Sequence, residues 1–156
     1  MELFLHADRG EDPEIVVIDA TAQVRTIILE SEPGQGVWIE EVDDEIDLDL
    51  TFEEAGIHHR HHVHRGRCRR VEVVVQFNAV DFTNEYGPGT TIKTVYHWAS
   101  GDKAANLSPE QKAKHVLALP GADHFLGDGV HVGSLLTPGG HCEVTLNLLP
   151  RDSFGG

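Results

Sequence analysis

One succession of patterns is written twice in this chain, starting near residue 1 and again near residue 69, a period of about 70 residues. Met1–Ala7 alternates, with Leu3 and Leu5 on one face, as a half-buried strand does. The turn Asp8-Arg9-Gly10 leads to a β-branched strand, Glu14–Ile18. Val24, Ile27 and Ile28 fall at i, i+3, i+4, which predicts a helix capped by Asp19 or Thr21 and stopped at Pro33-Gly34. Val37–Val42 predicts a third strand, Thr51–Glu54 a short helical turn, and Arg60–Arg65 a last strand. The second pass reads Val71–Phe77 and Val80–Asn84 around an Asn78-Ala79 turn, then a helix Ile92–Trp98 stopped by Gly101. A helical turn at Ser108-Pro109-Glu110, a strand His115–Leu119, a turn-rich Val132–Leu136 and a closing strand Cys142–Leu149 complete it.

A period this long is wrong for a solenoid and right for tandem small domains. Strands that come first and last in each unit pair at the sheet centre, and a helix crossing one face makes the fold α+β. The predicted domains are 1–66 and 67–156, with an exposed linker near Arg65–Arg70 that proteases should cut. Charge divides the chain at the same place. Residues 1–66 carry 17 acidic side chains against four arginines, whereas residues 67–156 carry 9 acidic and 8 basic ones. A net charge of −14 leaves no basic footprint for nucleic acid. No apolar run approaches the ~18 residues of a membrane span, and the first residues lack the pattern of a signal peptide. Two cysteines make no disulfide framework, so a cytoplasmic protein with reduced thiols is expected. Cys142 is then a small core residue and Cys68 a linker thiol beside Arg67, Arg69 and Arg70.

Element order, an acidic first turn and a C-terminal Arg151-Asp-Ser-Phe-Gly-Gly156 together resemble ubiquitin-like β-grasp proteins. Met1-Glu-Leu-Phe-Leu5 resembles the opening strand of that fold, and Thr51-Phe-Glu-Glu-Ala-Gly-Ile57 its short turn before the last strand. Asp128–Leu135 occupies the same place in the second unit. Two such modules in series resemble the vertebrate interferon-induced two-domain modifier. The run His58–Cys68 leading into VEVVVQFN, with HVGSLL and LLPRDSFGG, resembles the bacterial BilA-type antiphage ubiquitin-like proteins. The resemblance implies a modifier that is a substrate of enzymes and not itself an enzyme, and that needs no cofactor. Its implied partners are an activating enzyme, a conjugating enzyme, a deconjugating metalloprotease and target proteins such as phage structural proteins. Neither nucleic acid nor membrane is among them.

Conjugation of this kind adenylates a terminal carboxylate and passes the acyl group to a thiol and then an amine. The tail must thread a channel with enzyme backbone on both sides, which glycine alone does without a Cβ clash. Gly156 is accordingly the expected acyl donor and Gly155 the clearance residue, with Arg151, Ser153 and Phe154 recognised as the tail, a segment expected to pack against nothing. Self-conjugation could use Lys93, Lys103, Lys112 or Lys114, since residues 1–66 contain no lysine. The resemblance puts a docking surface on the sheet face near the tail, where Leu117 and Leu149 are the apolar candidates.

The second chemical signal is the histidine run from His58 to His64. Strand alternation places His62 and His64 on one face. With His61, and Cys68 nearby, they are candidate metal ligands; the favoured reading is a solvated strand facing the acidic Asp43–Glu54 segment, with no metal. The acidic face formed by Glu40, Glu41, Asp43, Asp44, Glu45, Asp47 and Asp49 either meets a basic partner or maintains solubility. Two rival functions stay open: a non-conjugated β-grasp adaptor and a His-rich metal-binding protein.

Overall fold

In a computed structural model, residues 1–10, 12–136 and 140–154 are described. They form two four-stranded mixed sheets, consistent with two tandem ubiquitin-like α+β units. The first sheet contains β1 (Glu2–Ala7), β2 (Glu14–Val17), β3 (Gly36–Ile39) and β4 (His62–Gly66), in the order β2-β1-β4-β3. The second contains β5 (Val71–Phe77), β6 (Val80–Tyr86), β7 (His115–Ala118) and β8 (Glu143–Pro150), in the order β6-β5-β8-β7. In each, the first and last strands run parallel at the centre, as expected, with Leu5 opposite Val63 and Val75 opposite Leu146. The β5–β6 hairpin closes through Asn78 and Ala79, both at positive φ, the two-residue geometry whose twist matches the strands.

Alternation then assigns faces. Leu3, Leu5, Val37 and Val63 point into the first core, and Val71, Val73, Val75, Val144, Leu146 and Leu148 into the second. The second core is covered by α1 (Ile92–Ser100), which presents Ile92, Val95 and Ala99. A short α2 (Pro109–Lys112) follows, with Ser108 and Gln111 forming a reciprocal cap.

The first unit departs from the expected helix. Only a four-residue 3-10 turn forms, Val24–Ile27, entered through Gln23 and not capped by Asp19 or Thr21. Three of its four residues are β-branched, a poor basis for a helix. The Val24 and Arg25 amides also donate to the carbonyls of Leu50 and Leu48 at 2.8 and 3.1 Å, so the 48–51 segment lies where a further helical turn would pack. Phe52 and Ile57, both essentially fully buried, fill the core in the missing helix's stead. The third strand likewise ends at Ile39, short of Val42, because Glu41 takes a positive φ.

The outer face of the first sheet is not solvent. Trp38 and His64 are fully buried and His6 nearly so. The second unit covers them with residues 87–91 and 131–134. Arg9 N–H donates to the Gly133 carbonyl at 3.3 Å, and Glu41 N–H to that of Gly89 at 3.1 Å. A β-carbon on Gly133 would lie 2.5 Å from His64 Nε2, and one on Gly87 would lie 2.9 Å from Asp43 Cα. Both positions therefore require glycine because of close approach.

Much of the acidic ridge is consumed by this contact. Glu41 accepts from the Thr91 amide at 3.1 Å and from the Thr91 and Thr94 hydroxyls, placing a carboxylate on the N-terminus of α1, where the unpaired amides favour an anion. Asp43 accepts from Gly87 N–H at 2.8 Å, and Glu45 pairs with Arg69 at 3.1 Å. Part of the ridge's basic and polar partner is thus the chain's own second unit. The linker is correspondingly held: Gly66 is buried and Arg67 N–H donates to Asp8 at 2.9 Å.

The cysteine expectation is overturned. Cys68 and Cys142 form a disulfide with Cα atoms 5.7 Å apart. Cys142 is exposed, not core. The reason is register: Glu72 lies opposite Glu143 in the parallel β5–β8 pair, so the residues preceding both strands lie side by side despite a separation of 74. No helix among the described residues is long and apolar enough to cross a membrane.

Candidate functional site

Strand β8 runs up the centre of the second sheet and delivers the C-terminal tail to the surface beside β7. Arg151 N–H donates to the Lys114 carbonyl at 2.7 Å, and residues Arg151–Phe154 form a 3-10 turn. This corrects the expectation that the segment packs against nothing. Phe154 meets Phe125 edge-on at 5.8 Å, and the Arg151 guanidinium lies 5.0 Å over the same ring. An aromatic pair and a cation–π contact on one exposed ring hold the tail. Beside it is a cleft of about 260 Å³ lined by Lys93, Tyr96, Leu126, Asp128 and Arg151 among others. Ser153 is exposed. Gly155 and Gly156 lie outside the described residues.

The two apolar docking candidates separate. Leu117 is 2 % exposed and belongs to the second core, because β7 is short and its alternation sets Leu117 against α1. Leu149 leaves the Val144/Leu146/Leu148 face, as expected, and lines a shallow cleft with Phe77, His115 and Asn147. Lys93, Lys103, Lys112 and Lys114 are all exposed, Lys114 in an ion pair with Glu110 at 3.3 Å.

The histidine run does not form one site. His61 accepts from the His58 amide at 3.0 Å, away from the others. His62 and His64 share a face, as expected, but that face meets the second unit and not the Asp43–Glu54 segment in solvent. Parallel pairing of β1 with β4 places His6 opposite His64 and Phe4 opposite His62. The second unit contributes His131, so that four imidazoles gather at the contact. His6 Nε2 lies 2.8 Å from His62 Nδ1, and the His6 and His131 rings stack at 3.6 Å. His131 Nε2 lies 2.7 Å from Glu40 Oε2, and its Nδ1 is 3.1 Å from His64 Nδ1. His64 Nε2 in turn lies 2.8 Å from Asp8 Oδ1.

Burial dominates the electrostatics here. It drives the His6 ring down to about 3 from an ordinary 6.5, helped by the neighbouring imidazoles. It also lowers His64, against the pull of Asp8. For Glu40, burial pushes the carboxyl up, but the hydrogen bond from His131 and the surrounding rings outweigh it, and the net direction is down. His6, Asp8 and His131 are functional-looking residues that the sequence does not single out, and Glu40 stands out there only as part of the acidic face. The available signal was His6 itself, one alternation step beyond Phe4 on a strand predicted to pair with the histidine strand.

Comparison with known proteins agrees with the fold. The family model described as BilA ubiquitin-like domain 2 matches residues 72–151, just over half of the chain. None of the curated proteins matches it. The match begins one residue into β5 and ends one residue beyond β8, so it spans the whole second sheet, α1 and the start of the tail. The chain therefore belongs to the BilA ubiquitin-like family.

Proposed function

We propose that the protein is a ubiquitin-like modifier, joined through the Gly156 carboxylate to target amines, and that it serves bacterial antiphage defence. Its units are taken as 1–66 and 67–156. One observation carries this reading: β8 delivers Arg151–Phe154 to the surface of a BilA-type ubiquitin-like unit, and Gly155-Gly156 follows directly in sequence. The activating enzyme would adenylate Gly156 and recognise Arg151, Ser153 and Phe154. A conjugating enzyme would carry the acyl group to a lysine, and a metalloprotease would reverse the bond. The setting is the bacterial cytoplasm, on the ground that adenylation needs ATP and not on reduced thiols, since Cys68 and Cys142 are paired, with phage structural proteins among the targets. The protein acts as substrate, not enzyme.

One residue added after Gly156 displaces the carboxylate by about 3.5 Å. Misplacement of about 1 Å can already cost ~10²-fold. ATP–pyrophosphate exchange by the cognate activating enzyme should therefore fall to background with the extended chain, and with Gly155→Val. Normal exchange and normal target labelling by an extended chain that resists trimming would refute the proposal and favour a non-conjugated adaptor.

A further inference from the structure

The contact between the two units contains a hydrogen-bond chain with an incomplete proton account. His64 faces Asp8 through Nε2 at 2.8 Å. A neutral His64 meets that carboxylate only by donating its Nε2–H, which leaves Nδ1 as an acceptor. His131, 3.1 Å away, must then donate from its own Nδ1. The remaining nitrogen of a neutral His131, Nε2, is a bare lone pair aimed at a carboxylate oxygen 2.7 Å away. Two acceptors at that distance repel unless a cation lies between them, either a proton or a metal ion.

The surrounding donors favour the metal. One donor atom each from His6, Glu40 and His131 lie within 4.8 Å of one another, and His62 Nδ1 is 3.8 Å from the same Glu40 oxygen. Zinc takes nitrogen and oxygen ligands at about 2.0–2.1 Å in a tetrahedron, which separates ligand atoms by roughly 3.3 Å. The 2.7, 3.8 and 2.8 Å separations along His131, Glu40, His62 and His6 bracket that value. Behind His131 stands the carboxylate–histidine support typical of metal-binding imidazoles, here Asp8 acting through His64. The set is imidazole-rich with one carboxylate and no thiolate, which suits Zn²⁺, Co²⁺ or Ni²⁺ and not Ca²⁺ or Mg²⁺.

We propose that His6, Glu40 and His131, with His62 as fourth ligand, form a divalent transition-metal site that ties the first unit to the second. Three ligands come from the first unit, His6 on β1, His62 on β4 and Glu40 just past the end of β3, and one from the loop before the 3-10 turn of the second unit. Ligation turns His6 out of its stack on His131 until a ring nitrogen points at the ion. His64 and Asp8 are positioning residues, and His58, His59 and His61 lie outside the site.

The test uses the full chain, stripped with chelator and then titrated separately with Zn²⁺ by calorimetry and Co²⁺ by visible absorption. Expected are one ion per chain, a Co²⁺ spectrum of tetrahedral intensity, and a raised melting temperature with metal. Glu40→Gln and His6→Gln should each weaken binding at least 100-fold. Asp8→Asn should weaken it by about 10–100-fold, the usual cost of losing ligand support. The triple change His58→Gln, His59→Gln, His61→Gln should leave affinity unchanged. Glu40→Gln preserves side-chain shape, and far-ultraviolet dichroism of each stripped variant reports its folding. Absence of saturable binding to the wild-type chain would overturn the proposal and leave a proton between His131 and Glu40. Binding that survives Glu40→Gln and His6→Gln, or is lost in the triple variant, would overturn it equally.

Discussion

Gly133→Ala tests how tightly the two units are joined. The new β-carbon would lie 2.5 Å from His64 Nε2, 2.6 Å from Cε1 and 2.8 Å from Pro88 Cβ. Ordinary contact begins near 3.4 Å, so the ring must retreat by roughly 0.9 Å. It has nowhere to go, because His64 is fully buried on β4, a central strand paired on both sides. Relief must come from opening the contact or from breaking the His64–Asp8 hydrogen bond. Overpacking costs about 1–3 kcal/mol. Loss of a hydrogen bond to a buried charged group adds about 1.5–3 kcal/mol. The expected destabilisation is on the order of 3–5 kcal/mol, or about 10 °C in melting temperature for a chain of this size. Equilibrium urea unfolding and calorimetry measure it. Gly129→Ala is the control, since a β-carbon there meets nothing within 4 Å. Should Gly133→Ala unfold within 0.5 kcal/mol of both control and wild type, the units do not pack as described and the interface argument fails.

Three other outcomes follow from the same contacts. In chelator, stability should fall as pH drops from 6.5 toward 5. An unfolded His6 protonates near 6.5 while the folded ring stays neutral to about 3, so the unfolded chain binds more protons. The slope from this ring is about 1 kcal/mol per pH unit, His64 adds in the same direction, and His6→Gln should flatten the curve between pH 5 and 6.5. Reduction of Cys68–Cys142 should cost about 4 kcal/mol for a closed loop of 74 residues, read as a dithiothreitol-dependent drop in melting temperature that the Cys68→Ser, Cys142→Ser double variant does not show. Phe125→Ala should release the tail: amide exchange at 152–154 should rise at least tenfold while global stability changes by less than about 1 kcal/mol, and unchanged exchange would mean the ring does not hold the tail.

Periodicity along the chain determined the strands and their cores. Val71–Phe77 carries a pattern of period 2 strong enough to place β5 to the residue. The first and last strands of each unit, and the helix facing its sheet through Ile92 and Val95, are equally local in origin. So is the two-residue turn at Asn78-Ala79. The family's short strings were also legible, since they lie in contiguous segments. Where local pattern misled, a distant segment had intervened. Val24–Ile28 has helical spacing, yet its amides found the Leu48 and Leu50 carbonyls and its β-branched residues offered little resistance. Leu117 and Leu149 are similar in sequence context, and only the packing of α1 onto β7 makes one core and leaves the other at a cleft.

The rest belongs to tertiary structure alone, because it depends on which faces meet. Cys68 and Cys142 are neighbours only through the β5–β8 register. Glu41 caps a helix 50 residues away, and Glu40 meets a histidine 91 residues away. No spacing rule reaches across such distances. The histidine run, conspicuous in sequence, is divided by the fold: His61 precedes β4 and accepts from the His58 amide, while His62 and His64 share a face of β4 on which His64 is buried against the second unit. Their partners, His6 and His131, lie on different units. Alternation determines that two of these rings share a face; only the docking of one sheet against another unit determines what that face can hold.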